Sequence, residues 1–165
     1  LRAEDIIYNY AQNFGHVIES VEAKPSFGNI IVWKVIYSTS EKYYINAIRL
    51  GLDYKIYPGE NIEKLDITKS FPWLNTNSQQ AKDVEKFRWF SNGYLGVDKS
   101  NNNIIYDVRF STIPNKVEGL WGIKLDKLKN DFEHVEYVTN RKRDMDRFNI
   151  LIDMIIGTHE NQKIY

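Results

Sequence analysis

Cysteine is absent from this 165-residue chain. Its absence excludes disulfides, thiolate nucleophiles, iron–sulfur clusters and cysteine-type zinc sites. An excess of positive charge is absent as well, because 22 Lys and Arg balance 22 Asp and Glu. Gripping nucleic acid rests on such an excess, so no nucleic-acid partner is expected. No apolar run approaches the roughly 20 residues of a membrane helix. The longest runs are cut by Lys34 within Ile30–Tyr37 and by Asp153 within Ile150–Ile156. The opening residues show no secretory-signal pattern. The first residue is Leu1 rather than Met, which leads to the expectation that a further segment precedes it.

What is present is aromatic: 14% of residues are Tyr, Phe or Trp. With 27% charged residues and no low-complexity run, that composition belongs to a folded domain and not to a disordered chain. The length suits one domain over residues 1–165, with enough chain to bury an ordinary core.

The periodicity predicts three helices. The first has Glu4 and Asp5 in its opening turn, a stripe of Ile6, Tyr10 and Phe14 widened by Ile7 and Ala11, and Gly15 as its stop. The middle helix starts at Asn77 with Gln80 as its capping-box partner. Ala81, Val84, Phe87 and Phe90 form its stripe, and Gly93 ends it. The closing helix runs over about Arg143–Ile156, with Met145, Phe148, Leu151, Ile152 and Ile155 as its apolar line.

Strands are predicted over Val17–Ala23, Ile30–Tyr37, Tyr43–Leu50, Tyr94–Asp98, Ile104–Phe110, Gly119–Leu125 and around Val135–Thr139. The polar turn at Ser38–Lys42 implies an antiparallel hairpin. Gly51–Thr76 reads as a long loop with at most one short strand. The expected fold is therefore α+β, with a largely antiparallel sheet of about six to seven strands and three helices.

No catalytic pattern is complete. His16, His134 and His159 lie in separate segments without metal-ligand spacing, and read as solvated or structural. No nucleophile elbow and no phosphate loop is present. Asp53, Asp66, Asp98 and Asp107 lie near strand or loop ends, where solvated carboxylates are the ordinary case. Trp73 and Trp121 read as core caps or as walls of a groove. Arg141, Lys142 and Arg143 with Arg147 form a basic cluster diluted by Asp144 and Asp146.

One constellation stands apart. In a strand, Asp107 and Arg109 share a face, and Arg88-Trp89-Phe90 ends a helix rich in aromatics. The alternatives are an ion pair tying helix to sheet, and a ligand-orienting pair in a pocket. In the second case the ligand-binding residues are Arg88, Trp89, Asp107, Arg109 and Trp121.

Several segments also resemble a known family. They are Lys24-Pro25-Ser26-Phe27-Gly28-Asn29 before the Ile30–Tyr37 run, Phe71-Pro72-Trp73-Leu74, and Val84 to Tyr94 with its Phe87-Arg88-Trp89-Phe90-Ser91-Asn92-Gly93 core. Asp107-Val108-Arg109-Phe110-Ser111, Ile113-Pro114-Asn115 and Leu120-Trp121-Gly122-Ile123 continue the pattern. Over most of Gly15–Lys142, the chain resembles the soluble C-terminal domain of the membrane-bound metal-dependent hydrolases of bacterial inner membranes. The resemblance implies a parent anchored in the inner membrane, with this domain on the cytoplasmic side. It places the divalent metal and its His and Asp ligands in an N-terminal membrane part, so this chain carries no cofactor and no catalytic residue. The implied partners are that membrane domain, a protein, or a small molecule. A self-contained ligand-binding module and a small acid–base hydrolase with the Gly51–Thr76 loop as a lid are the other two readings.

Overall fold

The computed structural model describes residues 2–26, 28–140 and 145–160. In chain order the elements are α1 (Arg2–Gln12), β1 (Ser20–Pro25), β2 (Val32–Ser38), β3 (Lys42–Leu50), β4 (Tyr54–Tyr57), β5 (Asn61–Glu63), α2 (Ile67–Ser70), α3 (Gln79–Phe90), β6 (Leu95–Val97), β7 (Ile104–Asp107), β8 (Trp121–Lys124), β9 (Glu136–Thr139) and α4 (Met145–Ile156). The class is α+β. The finer expectation is corrected: among the described residues there are four helices and nine strands, in two antiparallel sheets of five and four strands. The surplus elements, β4, β5 and α2, occupy the stretch expected to be loop. Each spans three or four residues, too few for a period to be visible in sequence.

The described residues divide between two compact units. The first is drawn from Leu1–Asn61, Ser111–Val117 and Lys142–Tyr165, the second from Ile62–Phe110 and Glu118–Arg141.

In the first unit the strands run in the order β1-β2-β3-β4. The predicted hairpin is β2 with β3, paired from Val32 with Arg49 to Ser38 with Tyr43. Alternation along β2 places Val35 and Tyr37 on one face and Val32 on the other. α1 packs Ala3, Ile7 and Ala11 against Val35, Tyr37 and Ile48. The fully buried line on α1 is therefore Ala3–Ile7–Ala11, with Ile6 and Tyr10 of the expected stripe partly buried beside it and Phe14 exposed. Two alanines let the helix approach the sheet more closely than the larger stripe allows. On the opposite face α4 contributes Met154 to a cluster with Val32, Ala47 and Tyr57. Met154 and Leu151 are its buried residues and Ile155 packs against the same cluster, so the predicted apolar line holds in its second half and is corrected in its first, where Met145 and Phe148 are exposed. The helix end is held by cations, as its dipole favours: Arg49 Nε donates to the Ile155 carbonyl at 2.8 Å and Lys55 Nζ to that of His159 at 2.7 Å. Buried Lys34 anchors the 111–117 segment by donating to Ser111 Oγ at 2.7 Å and to the Lys116 carbonyl at 3.1 Å.

The second unit is the sheet β6-β7-β8-β9 with α3 on one face. Val84 and Phe87 of α3 pack with Leu95, Ile105, Ile123, Leu125 and Val135. α3 starts one residue later than predicted, because Ser78 is the cap and its Oγ accepts from Ala81 N at 3.2 Å. Asn77 is drawn into the preceding turn, where its own N–H donates to Asn75 Oδ1 at 3.0 Å. Gly93 ends the helix as expected, with φ +80° in the left-handed region that glycine tolerates best. Gln80 joins α3 to the loop after β8: its Nε2 donates to the Asp126 carbonyl, and Asp126 N donates back to Oε1, both at 2.9 Å.

Candidate functional site

The sequence constellation resolves into two structures in the second unit. The first is an ion pair. Asp107 closes β7 and is fully buried. Arg109 follows two residues on and chelates it, with Nη2 at 2.7 Å from Oδ2 and Nε at 3.0 Å from Oδ1. The Arg109 backbone N–H donates to the same Oδ1 at 3.0 Å, and Trp121 Nε1 donates to Oδ2 at 3.3 Å. Arg109 Nη2 also donates to the Phe90 carbonyl at 2.9 Å, at the C-terminus of α3 where a cation is favoured. Its guanidinium lies 5.2 Å from the Phe110 ring centroid and 6.0 Å from that of Phe90. The result is a desolvated, charge-assisted clamp joining the end of a helix to a sheet.

Arg88 takes no part in that pair. It bonds Glu85 at 3.3 Å, one helical turn back on α3, and Trp89 beside it is 85% exposed.

The second structure is a groove of about 1270 Å³ running along α3. Its walls are α3 from Ala81 to Phe90 on one side, and Trp121, Gly122, Tyr137, Val138 and Thr139 of β8 and β9 on the other. Ile67, Leu74 and Thr76 contribute from the chain before α3. Of the five predicted ligand-binding residues, Arg88, Trp89 and Trp121 line this groove; Asp107 and Arg109 stand outside its lining. Tyr137, Val138, Lys82 and Lys86 belong to the lining and were not singled out in the sequence. Alternation with Val135 does place Tyr137 on the helix side of β9. What it cannot reveal is that Tyr137 is left 73% exposed.

A third arrangement lies near the start of α3. Asp83 is nearly fully buried and accepts from Gln79 Nε2 at 2.9 Å and from Val135 N at 3.2 Å. His134 Nδ1 lies 2.8 Å from Asp83 Oδ2 while its ring is largely exposed. Burial pushes the Asp83 carboxyl up, but the bonds from Gln79, His134 and Val135 outweigh it and hold the group below the usual aspartate value.

The other candidates have local partners. His16 Nδ1 is 2.8 Å from Tyr37 Oη, and His159 meets the Tyr57 ring edge-on at 5.5 Å between centroids. Asp66 caps α2, and Asp98 accepts from Ser100 N and Oγ. Trp73 packs against the core of the second unit. Among the described residues, no group of His, Asp and Glu is arranged to hold a metal, and no helix is long and apolar enough to cross a membrane. The basic cluster at Arg141, Lys142 and Arg143 lies outside the described residues, as does Phe27 of the resemblance. No family model, no curated protein and no solved structure matches the chain.

Proposed function

We propose that this chain is a binding module without catalysis of its own, and that its working surface is the groove along α3. The observation that carries this reading is the groove itself. It is large and open, and Trp89, Phe90, Trp121 and Tyr137 stand in its walls, whereas the Asp–Arg pair nearby spends its hydrogen bonds internally. Concave surfaces lined by aromatics with a few polar groups are where ligands are held. The setting we propose is the soluble C-terminal part of an inner-membrane, metal-dependent hydrolase, facing the cytoplasm. Its catalytic metal is then bound by the membrane part, which is itself a partner. Three segments carrying that resemblance, around Phe90, Arg109 and Trp121, meet at one clamp, as expected of residues that keep one domain in shape.

The test is titration of the purified chain with anilinonaphthalene sulfonate. Saturable binding that quenches tryptophan fluorescence and is lost in Tyr137→Glu supports the groove. Binding that is absent, or unchanged in that variant, refutes it. Phosphatase or esterase turnover abolished by substituting Asp107 overturns the non-catalytic part.

Acid–base hydrolysis is the second reading, favoured by one observation: buried Asp83 orients the exposed imidazole of His134, the arrangement of a general base. It requires ester or phosphoester turnover that falls in His134→Gln without loss of stability. A full substrate panel without turnover removes it.

A further inference from the structure

The groove adjoins an open sheet edge, and the two together define an occupant. β9 is the last strand in the order β6-β7-β8-β9. The other end of this sheet is covered, since Lys64 bridges Gly96 and Leu65 N donates to the Leu95 carbonyl at 2.9 Å. Among the described residues no strand pairs with the outer side of β9.

The register tells which groups face outward. Asn140 N donates to the Leu120 carbonyl at 2.9 Å, so these opposed residues form a hydrogen-bonded pair. The following pairs are Thr139 with Trp121, Val138 with Gly122 and Tyr137 with Ile123. Bonded and non-bonded pairs alternate along an antiparallel ladder. Val138 therefore turns its backbone toward β8, while Tyr137 and Thr139 turn their N–H and C=O groups away from it. The Tyr137 side chain stands on the same face as Ile123, the face that packs against α3.

A strand laid against β9 sits about 4.8 Å further out and points every second side chain to that face. Those side chains enter the groove. The volume of about 1270 Å³ exceeds the usual range for a small metabolite, roughly 300–1,000 Å³. Charge selects further. Lys82 and Lys86 line the groove on α3 and are exposed. Glu85 is paired with Arg88, and Lys86 Nζ pairs at 3.7 Å with buried Asp83. The charged lining (Lys82, Lys86 and Arg88 against Asp83 and Glu85) is thus net positive through Lys82.

We infer that the groove takes an extended peptide, apolar at alternate positions and carrying a carboxylate, which adds to β9 as a further strand. This rests on the reading of the groove as a binding surface and names what it binds. Main-chain hydrogen bonds then give affinity, and the groove gives side-chain preference.

The experiment selects binders to the intact chain from a displayed library of random dodecapeptides and measures the best by fluorescence anisotropy. The expected winners alternate apolar residues and contain Asp or Glu. N-methylation of the peptide amides that face β9 should weaken binding at least about tenfold, because each tenfold step is the scale of a lost hydrogen bond. Thr139→Pro removes an outward donor while sparing the ladder to β8, so it should weaken binding similarly with the urea midpoint retained. Lys82→Gln with Lys86→Gln should lower affinity for acidic peptides and remove most of its salt dependence.

Tolerated N-methylation, winners with apolar residues at three- and four-residue spacing, or self-association through β9 overturns the inference. If anilinonaphthalene sulfonate binds in the groove but no peptide is selected, the inference falls and the binding-surface reading stands. If neither binds, both fall.

Discussion

Replacing Arg109 with leucine isolates the energetics of the clamp. In the native chain the Asp107 carboxylate has no solvent exposure and accepts from Arg109 Nε, Nη2 and N and from Trp121 Nε1. Arg109→Leu removes the compensating charge and leaves two donors, the residue 109 amide and the indole. Breaking a buried pair by deleting one partner costs about 3–5 kcal/mol, since a desolvated charge remains. The Phe90 carbonyl also loses its donor, worth about 1 kcal/mol. We expect a loss of roughly 4 kcal/mol, against at most about 1 kcal/mol for Arg88→Leu, whose pair with Glu85 is solvated. The double variant Asp107→Leu, Arg109→Leu should recover much of that loss, because no unpaired charge remains. Urea unfolding at neutral pH, followed by tryptophan fluorescence and circular dichroism, measures all three. An Arg109→Leu cost within about 1 kcal/mol of Arg88→Leu refutes the argument that the pair is desolvated and structural.

Acid should weaken the fold through Asp83. Its carboxyl lies below the usual value when folded, so its contribution is complete above about pH 5 and disappears as pH falls through about 4 and below. Urea midpoints should decline over that range and decline less in Asp83→Asn. Gly122→Ala should destabilise by about 1–3 kcal/mol, because the new Cβ sits 2.6 Å from the Ile105 carbonyl oxygen, a backbone atom that cannot swing away. Thermal unfolding against wild type measures that loss. Ser78→Ala should cost about 1 kcal/mol as a lost helix cap. Asn77→Ala should cost less in the same assay, and the reverse order would return the cap to Asn77.

The parts of the fold that were legible are those whose residues speak locally. Two β-branched and aromatic runs around a polar turn are enough to mark the β2–β3 hairpin. The spacing of Asp107 and Arg109 suggests a shared face but leaves open whether Arg88 or Arg109 meets Asp107 or Glu85; the strand ends at Asp107, and the turn after it brings Arg109 back onto the carboxylate. Where two neighbouring residues can do the same work, the sequence is ambiguous: Asn77 and Ser78 both cap helices, and only the turn at Asn75 decides between them. α1 carries two adjacent apolar lines, and packing against Val35 and Ile48 selects the one with small residues. β4, β5 and α2 owe their existence to remote partners, as when buried Tyr57 donates to the Met154 carbonyl at 3.2 Å across 97 residues. The groove was hidden for a related reason. It depends on how α3 lies against β8 and β9, which no local pattern encodes.

The division of the chain has a consequence for the order in which it acquires structure during synthesis. Every segment of the second unit precedes α4, so that unit has all its strands and both its helices, α2 and α3, once Thr139 has left the ribosome. The first unit begins at the opposite end yet lacks Met154, and with it a wall of its Val32–Ala47–Tyr57 cluster, until α4 emerges. Of the two units, the one begun first is thus the last to close, a reversal of the usual N-terminal-first progress of domains. The hairpin and α1 must wait with one face of their sheet uncovered while roughly a hundred residues are added. At synthesis rates of about 5–20 residues per second that interval is some 5–20 seconds. During that interval the exposed face is a natural ligand for a chaperone, and a stop codon before α4 would leave it permanently bare.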